Sequence, residues 1–294
     1  MKKTIFMTFS ILMVSAALVF NSCDTSKKIV NEPVSEIIVA EELVNENVID
    51  SIVAIKIITE TEIQNDTISE IKEEVEIILA EAINHSDWNI LLQKHVSEKG
   101  NVNYKGFKKD ELKLKSYLTL LSKIMPDDSW SKGEKMAYWI NAYNAFTIQL
   151  ILDNYPISSI KDIENPWDIE FINLGDKTFS LNDIEHEILR KMNDPRIHFG
   201  IVCASVSCPK LKNVAFEASN LDSQLDIAAK EFLADPARNN LSEDSIQLSK
   251  IFKWFAKDFK NEGSLIDFLN KYSEITISQN AKKSYKDYDW NLNE

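Results

Sequence analysis

"SKGEKMAYWINAYNAFTIQLILDNY", residues 131–155, decides how the rest of the chain is read. Ser131 can cap a helix, and Glu134 three residues on completes a capping box. The run ends before Pro156, and the residue preceding a proline is disfavoured in helical geometry. Between these signals the stretch is apolar almost all round. Such a helix belongs in the middle of a core, not on its surface. Asn141 and Asn144 share one face of it. A buried amide without partners costs about 1–3 kcal/mol, so each must bind something. They either orient a catalytic group or substrate carbonyl, or tie the helix to a neighbouring loop.

Working outward toward the N-terminus, residues 86–96 read as a short amphipathic helix, 100–107 as a turn with a brief extended piece, and 108–124 as a helix. Toward the C-terminus, 171–174 and 177–181 read as strands around Gly175-Asp176, a hairpin signal. "LNDIEHEILR" (181–190) and 219–235 read as helices, 197–203 as an apolar strand, and 245–252 as a strand. Two further helices break at Gly263. Helices first, then strands mixed with helices, predict an α+β single domain over 85–294. Six glycines and seven prolines are too few for a turn-rich all-β fold.

The chain carries a net charge of −13. Residues 24–84 hold 15 Asp and Glu against 4 Lys and Arg, so most of the acidity lies ahead of the domain. An acidic chain without a basic face excludes nucleic acid as a partner. The first 22 residues, with Lys2 and Lys3 before an apolar stretch to Phe20, read as an export signal. Cys23 directly follows, as in a bacterial lipoprotein signal, so the lipid bilayer is the expected partner through lipidated Cys23. Residues 23–84 read as a tether, part disordered and part helical, with Ile68, Ile71, Val75, Ile78 and Leu79 spaced like a helix face. A β-rich accretion or partner-binding segment is the alternative.

The chemistry concentrates in "HFGIVCASVSCPKL", residues 198–211. As a strand, 197–203 would place His198 and Cys203 on opposite faces. Cys208 precedes Pro209, and proline favours the first helical position, which would make Cys208 a helix cap with a lowered thiol pKa. Lys210 acts in the same direction. The alternatives stay open: a Cys203–Cys208 disulfide in an oxidising compartment, burial, or a metal, for which a second pair of ligands is missing. No cofactor is expected. In "DIEHEILR", His186 stands between Glu185 and Glu187 with Arg190 at i+4; it reads either as a held general base or as a surface histidine.

Five stretches carry a resemblance in order: "YWINAYNAFTIQ", "SLNDIEHEILR", "DPRIHFGIVCASVSCPKL", "LSKIFKWFAKDF" and "YKDYDWNLN". Together they resemble the family called domain of unknown function 547 over roughly 88–292. The resemblance implies an α+β fold with a central helix packed on a small, mainly antiparallel sheet, distantly similar to papain- or transglutaminase-like enzymes. It implies an exported, lipid-anchored envelope protein, possessing either of two functions. In one, a thiol-dependent hydrolase or transferase acts on amide bonds: Cys208 or Cys203 attacks, His186 or His198 is the base, Glu185 or Glu187 orients it, and Asn141 or Asn144 polarises the carbonyl. In the other, a binding or scaffold module holds an envelope ligand or protein, with Cys203–Cys208 as a disulfide. Asn144, Ser205 and Trp167 are the expected ligand contacts, with Trp254 and Tyr288 as further exposed aromatics.

Overall fold

Ser131 accepts the Glu134 backbone N–H at 3.2 Å, and Glu134 Oε2 accepts the Ser131 N–H at 2.6 Å, so the expected capping box forms. The computed structural model describes residues 83–261 and 263–294. The leader, Cys23 and the tether up to residue 82 lie outside the described residues.

The elements ahead of the central helix are α1 (Ser86–His95), α2 (Tyr104–Lys109) and α3 (Glu111–Lys123). The central helix is α4 (Lys132–Asn154). Every residue from Met136 to Leu152 is buried, as an all-round apolar helix requires. Its main neighbours are α2, α3 and a π-helical turn at Asp183–Leu189. The hairpin of β1 (Ile172–Leu174) and β2 (Lys177–Phe179) sinks Ile172 and Leu174 into the same core and sets Phe179 edge-on to Trp139. Gly175 turns the hairpin at φ +56°, where a side chain would be strained.

Beyond the π-helical turn come α5 (Ile197–Gly200) and α6 (Leu221–Ala234). The second sheet has β3 (Asn240–Leu241) antiparallel to β4 (Ser245–Leu248), and β4 parallel to β5 (Lys282–Tyr285). Between β4 and β5 lie α7 (Ile251–Trp254) and α8 (Leu265–Tyr272). The architecture is α+β, as expected. A second apolar cluster, centred on Phe199, Phe252 and Phe259, packs α6, α7 and α8 on β4.

Four local expectations are corrected. Residues 197–200 are helical, not extended: Asp194 accepts the Arg196 N–H and Pro195 follows it, a helix-start pair that the apolar run concealed. The alternation argument separating His198 from Cys203 therefore lapses. Cys208 caps no helix, because the Val206 and Ser207 N–H groups pair with the Asn291 and Asp289 carbonyls and hold the loop in a turn. Residues 104–109 are helical where an extended piece was expected, with Asn103 accepting the Gly106 N–H. The strand expected over 245–252 stops at Leu248, where Ser249 starts a helical turn.

Candidate functional site

His186, Glu185, His198, Cys203, Cys208 and Trp167, taken from three separate stretches of sequence, line one cleft of about 220 Å³. Trp254 and Tyr288 line it too. Sequence reasoning missed Tyr143, Asn182, Phe255 and Trp290 on its walls, and Asp258 behind them. Their signal was present: Phe255, Asp258 and Trp290 fall inside the quoted family-like motifs.

The π-helical turn presents the two central polar groups. Wider helical turns of this kind recur at functional sites. Glu185 is 7% exposed and lies 3.3 Å from the Tyr143 hydroxyl, which donates to its carboxylate. Burial pushes the Glu185 carboxyl up to about 7, against the opposing pull of Tyr143 and Arg190. His186 is half-buried, and its Nδ1 lies 2.6 Å from Arg190 Nη1. A guanidinium only donates, so Nδ1 accepts and Nε2 carries the ring proton. Burial, then the Arg190 charge, holds His186 below its usual pKa. The base role expected of His186 needs a free ring nitrogen; the geometry makes this ring an N–H donor instead.

Arg190 also grips Asp258 with two bonds, Nε to Oδ2 at 2.7 Å and Nη2 to Oδ1 at 2.8 Å. Asp258 Oδ2 in turn sits 2.8 Å from His198 Nε2. Burial opposes the Asp258 charge, but Arg190 and His198 outweigh it and hold the carboxyl well below the usual carboxylate range. His198 is buried and stacked on Phe255 at 3.9 Å, and burial holds its pKa down although Asp258 pulls it up. The chain His186–Arg190–Asp258–His198 thus forms one connected set of charge-assisted bonds, its two histidines at the cleft and Arg190 and Asp258 behind them. The other two histidines are placed elsewhere: His85 meets the Tyr117 hydroxyl and His95 meets Asp110.

Cys203 and Cys208 are bonded to each other, with Cα atoms 6.3 Å apart. The Cys203 N–H donates to Cys208 Sγ at 3.0 Å, and the Tyr288 hydroxyl lies 3.3 Å from each sulfur. Buried Ser205 donates to the Tyr288 oxygen at 3.3 Å and so stands behind the disulfide, not in the cleft. Burial pushes the Tyr288 phenol up to about 12. Ala204 between them has φ +57°, a left-handed conformation that a non-glycine residue rarely holds. Arg238 fixes the loop from outside by donating to the Cys208 and Val206 carbonyls at 2.8 and 2.7 Å.

The two asparagines of α4 face backbone, not cleft. Asn144 donates to the Gly200 carbonyl (2.9 Å) and accepts from the Val202 N–H (2.9 Å). Asn141 does the same to Phe216, at 2.8 and 3.0 Å. Both amides are fully engaged as clamps, so the central helix fixes the loop that carries Cys203. Among the described residues, no group of three or more His, Cys, Asp or Glu is placed to hold a metal ion.

One wall of the cleft is a run of touching rings. Trp290 lies 4.5 Å from Tyr288, 5.6 Å from Trp167 and 5.8 Å from Trp254, between ring centroids. Lys161 sits over the Trp290 ring at 4.3 Å.

Residues 128–233 match the model of a family described as "Protein of unknown function, DUF547". This DUF547 match supports the resemblance read from the sequence. It spans α4, the π-helical turn and the disulfide loop, and thus the first three of the five motifs. The last two motifs, with Trp254, Asp258, Tyr288 and Trp290, lie beyond the DUF547 match. No curated protein and no solved structure matches the chain.

Proposed function

We propose that this is an exported, lipid-anchored protein of the cell envelope whose cleft binds a small ligand without thiol chemistry. The observation that carries the reading is the Cys203–Cys208 bond in the cleft wall. A bonded pair presents no thiolate to a carbonyl, and the helix-cap argument for an activated Cys208 has lapsed. The engaged Nδ1 of His186 and the clamped amides of Asn141 and Asn144 point the same way. A structural disulfide also suits the oxidising side of a membrane, which agrees with the export signal and Cys23 read from the sequence.

Differential alkylation tests the reading. The mature protein, purified without reductant, is treated with iodoacetamide, then reduced, labelled with a second reagent and mapped by mass spectrometry. Cys203 and Cys208 are expected to carry only the second label. A Cys208 that takes the first label rapidly at neutral pH overturns the proposal and restores the thiol-dependent hydrolase. Metabolic lipid labelling of wild type and Cys23→Ala tests the anchor; label retained in the variant removes it.

A further inference from the structure

Trp254 is 46% exposed at the cleft, an unusual place for the largest apolar side chain. It is not alone there: Trp254 and Tyr288 lie 4.8 Å apart and both contact Trp290. The three rings pack against one another as one wall, so they do not form a box with a space between them. A box of facing rings would suit a quaternary ammonium. A single wall suits a flat ligand face that offers C–H groups to the negative faces of the rings.

The polar side of the cleft narrows the ligand further. His186 offers an N–H, because Arg190 occupies its other nitrogen. Glu185 offers acceptor oxygens, with one donor, Tyr143, already on it. Asn182 adds an amide whose nitrogen is bound to Asp168, which leaves its oxygen available to accept. Arg190, the cation nearest to these groups, is paired with Asp258, and Lys161 stands over the outer ring wall. The cleft therefore combines an apolar wall with fixed donors and acceptors, and among the described residues that line it there is no Lys or Arg to hold an anion.

We infer that the cleft recognises one pyranose ring of a neutral saccharide, with the ring's C–H face on Trp254, Tyr288 and Trp290 and its hydroxyls on His186, Glu185 and Asn182. A sugar hydroxyl both donates and accepts, which matches a mixed set of N–H and carboxyl groups. At about 220 Å³ the cleft is smaller than most drug-sized sites, so one ring occupies it and the remainder of a glycan extends outward. The inference rests on the ligand-binding reading above and gives that site its ligand class.

The test titrates the full-length mature protein with N,N′-diacetylchitobiose, cellobiose and maltose, then with an array of neutral glycans. Calorimetry and tryptophan fluorescence report binding. Saturable binding of at least one neutral saccharide is expected, weakened tenfold or more in Trp254→Ala and in Glu185→Gln. Trp254 is exposed, so its variant should keep the thermal midpoint of the wild type, which separates lost binding from lost folding. Absence of binding to every glycan overturns the saccharide assignment. If tetramethylammonium then binds and Trp254→Ala abolishes that binding, the cleft remains a ligand site of a different class. If a saccharide binds but neither variant weakens it, both the assignment and the cleft reading fail.

Discussion

Asn144→Ala is the sharpest test of how the central helix builds the cleft. The side chain makes two bonds to the loop ahead of Cys203, one to the Gly200 carbonyl and one from the Val202 N–H, each 2.9 Å. All three residues are buried, so water cannot readily replace the lost amide. Each abandoned group costs about 1–3 kcal/mol. Partial relaxation of the loop brings the pair to about 3 kcal/mol. For a domain of this size, 1 kcal/mol moves the thermal midpoint by about 2–4 °C, so the fall should be roughly 6–12 °C. Asn144→Leu fills the space that alanine leaves but pairs neither group, and it should fall by a comparable amount. Asn154→Ala is the control: its amide bonds only the Leu150 carbonyl on the same helix and is part-exposed, so a loss below about 1 kcal/mol is expected. Calorimetric unfolding of the three variants gives the answer. A leucine variant within about 0.5 kcal/mol of wild type would refute the clamp and leave packing volume as the cause.

Glu185 predicts a pH dependence. Its folded pKa, about 7, lies above its unfolded value, so its contribution to stability is full below the unfolded pKa near 4.5 and is lost as pH rises to about 7. Glu185→Gln should therefore gain on wild type across pH 4.5–7, by an amount on the order of 3 kcal/mol, with a constant difference above that; paired urea titrations at pH 4, 6 and 8 measure it. Reduction of the Cys203–Cys208 bond opens a short loop and should cost about 2 kcal/mol; a thermal midpoint unchanged by dithiothreitol contradicts this. Asp258→Ala strands Arg190 and His198 together and should cost about 3–5 kcal/mol by urea midpoint. In Arg190→Met the Nδ1 of His186 is released, and the imidazole pKa followed by NMR should rise, since Arg190 is one of the two influences lowering it.

The parts of the fold that were legible were those with local, redundant signals. Residues 131–155 carried a cap, an all-round apolar run and a proline stop that agreed, and α4 formed as read. The hairpin at Gly175 was equally explicit. The misread parts had weak local signals and were decided by distant partners. Cys208 had Pro209, a first-helical-position residue, directly after it, but strand-like pairing with residues 289–291 prevailed. Residues 197–200 looked extended because apolar composition hid the Asp194-Pro195 start. For the site, the residue types were visible, and eight of the named side chains reach one cleft. What the sequence could not show was where each spare valence goes. The asparagines are spent on backbone, the sulfurs on each other, and the His186 nitrogen on an arginine four residues away.

The polar groups and the sulfurs of the cleft come from within residues 128–233, whereas most of the rings facing them, Trp254, Phe255, Tyr288 and Trp290, come from beyond it. The cleft is in effect a mould cast in two pieces. Excising the matched segment would leave Arg190 and His198 without Asp258 and the cavity with Trp167 alone of its ring wall. The two pieces are also separable variables: exchanging the three rings reshapes what is gripped, while the proton-bearing floor keeps its own wiring. A relative could thus change its ligand by altering residues that the matched segment does not contain.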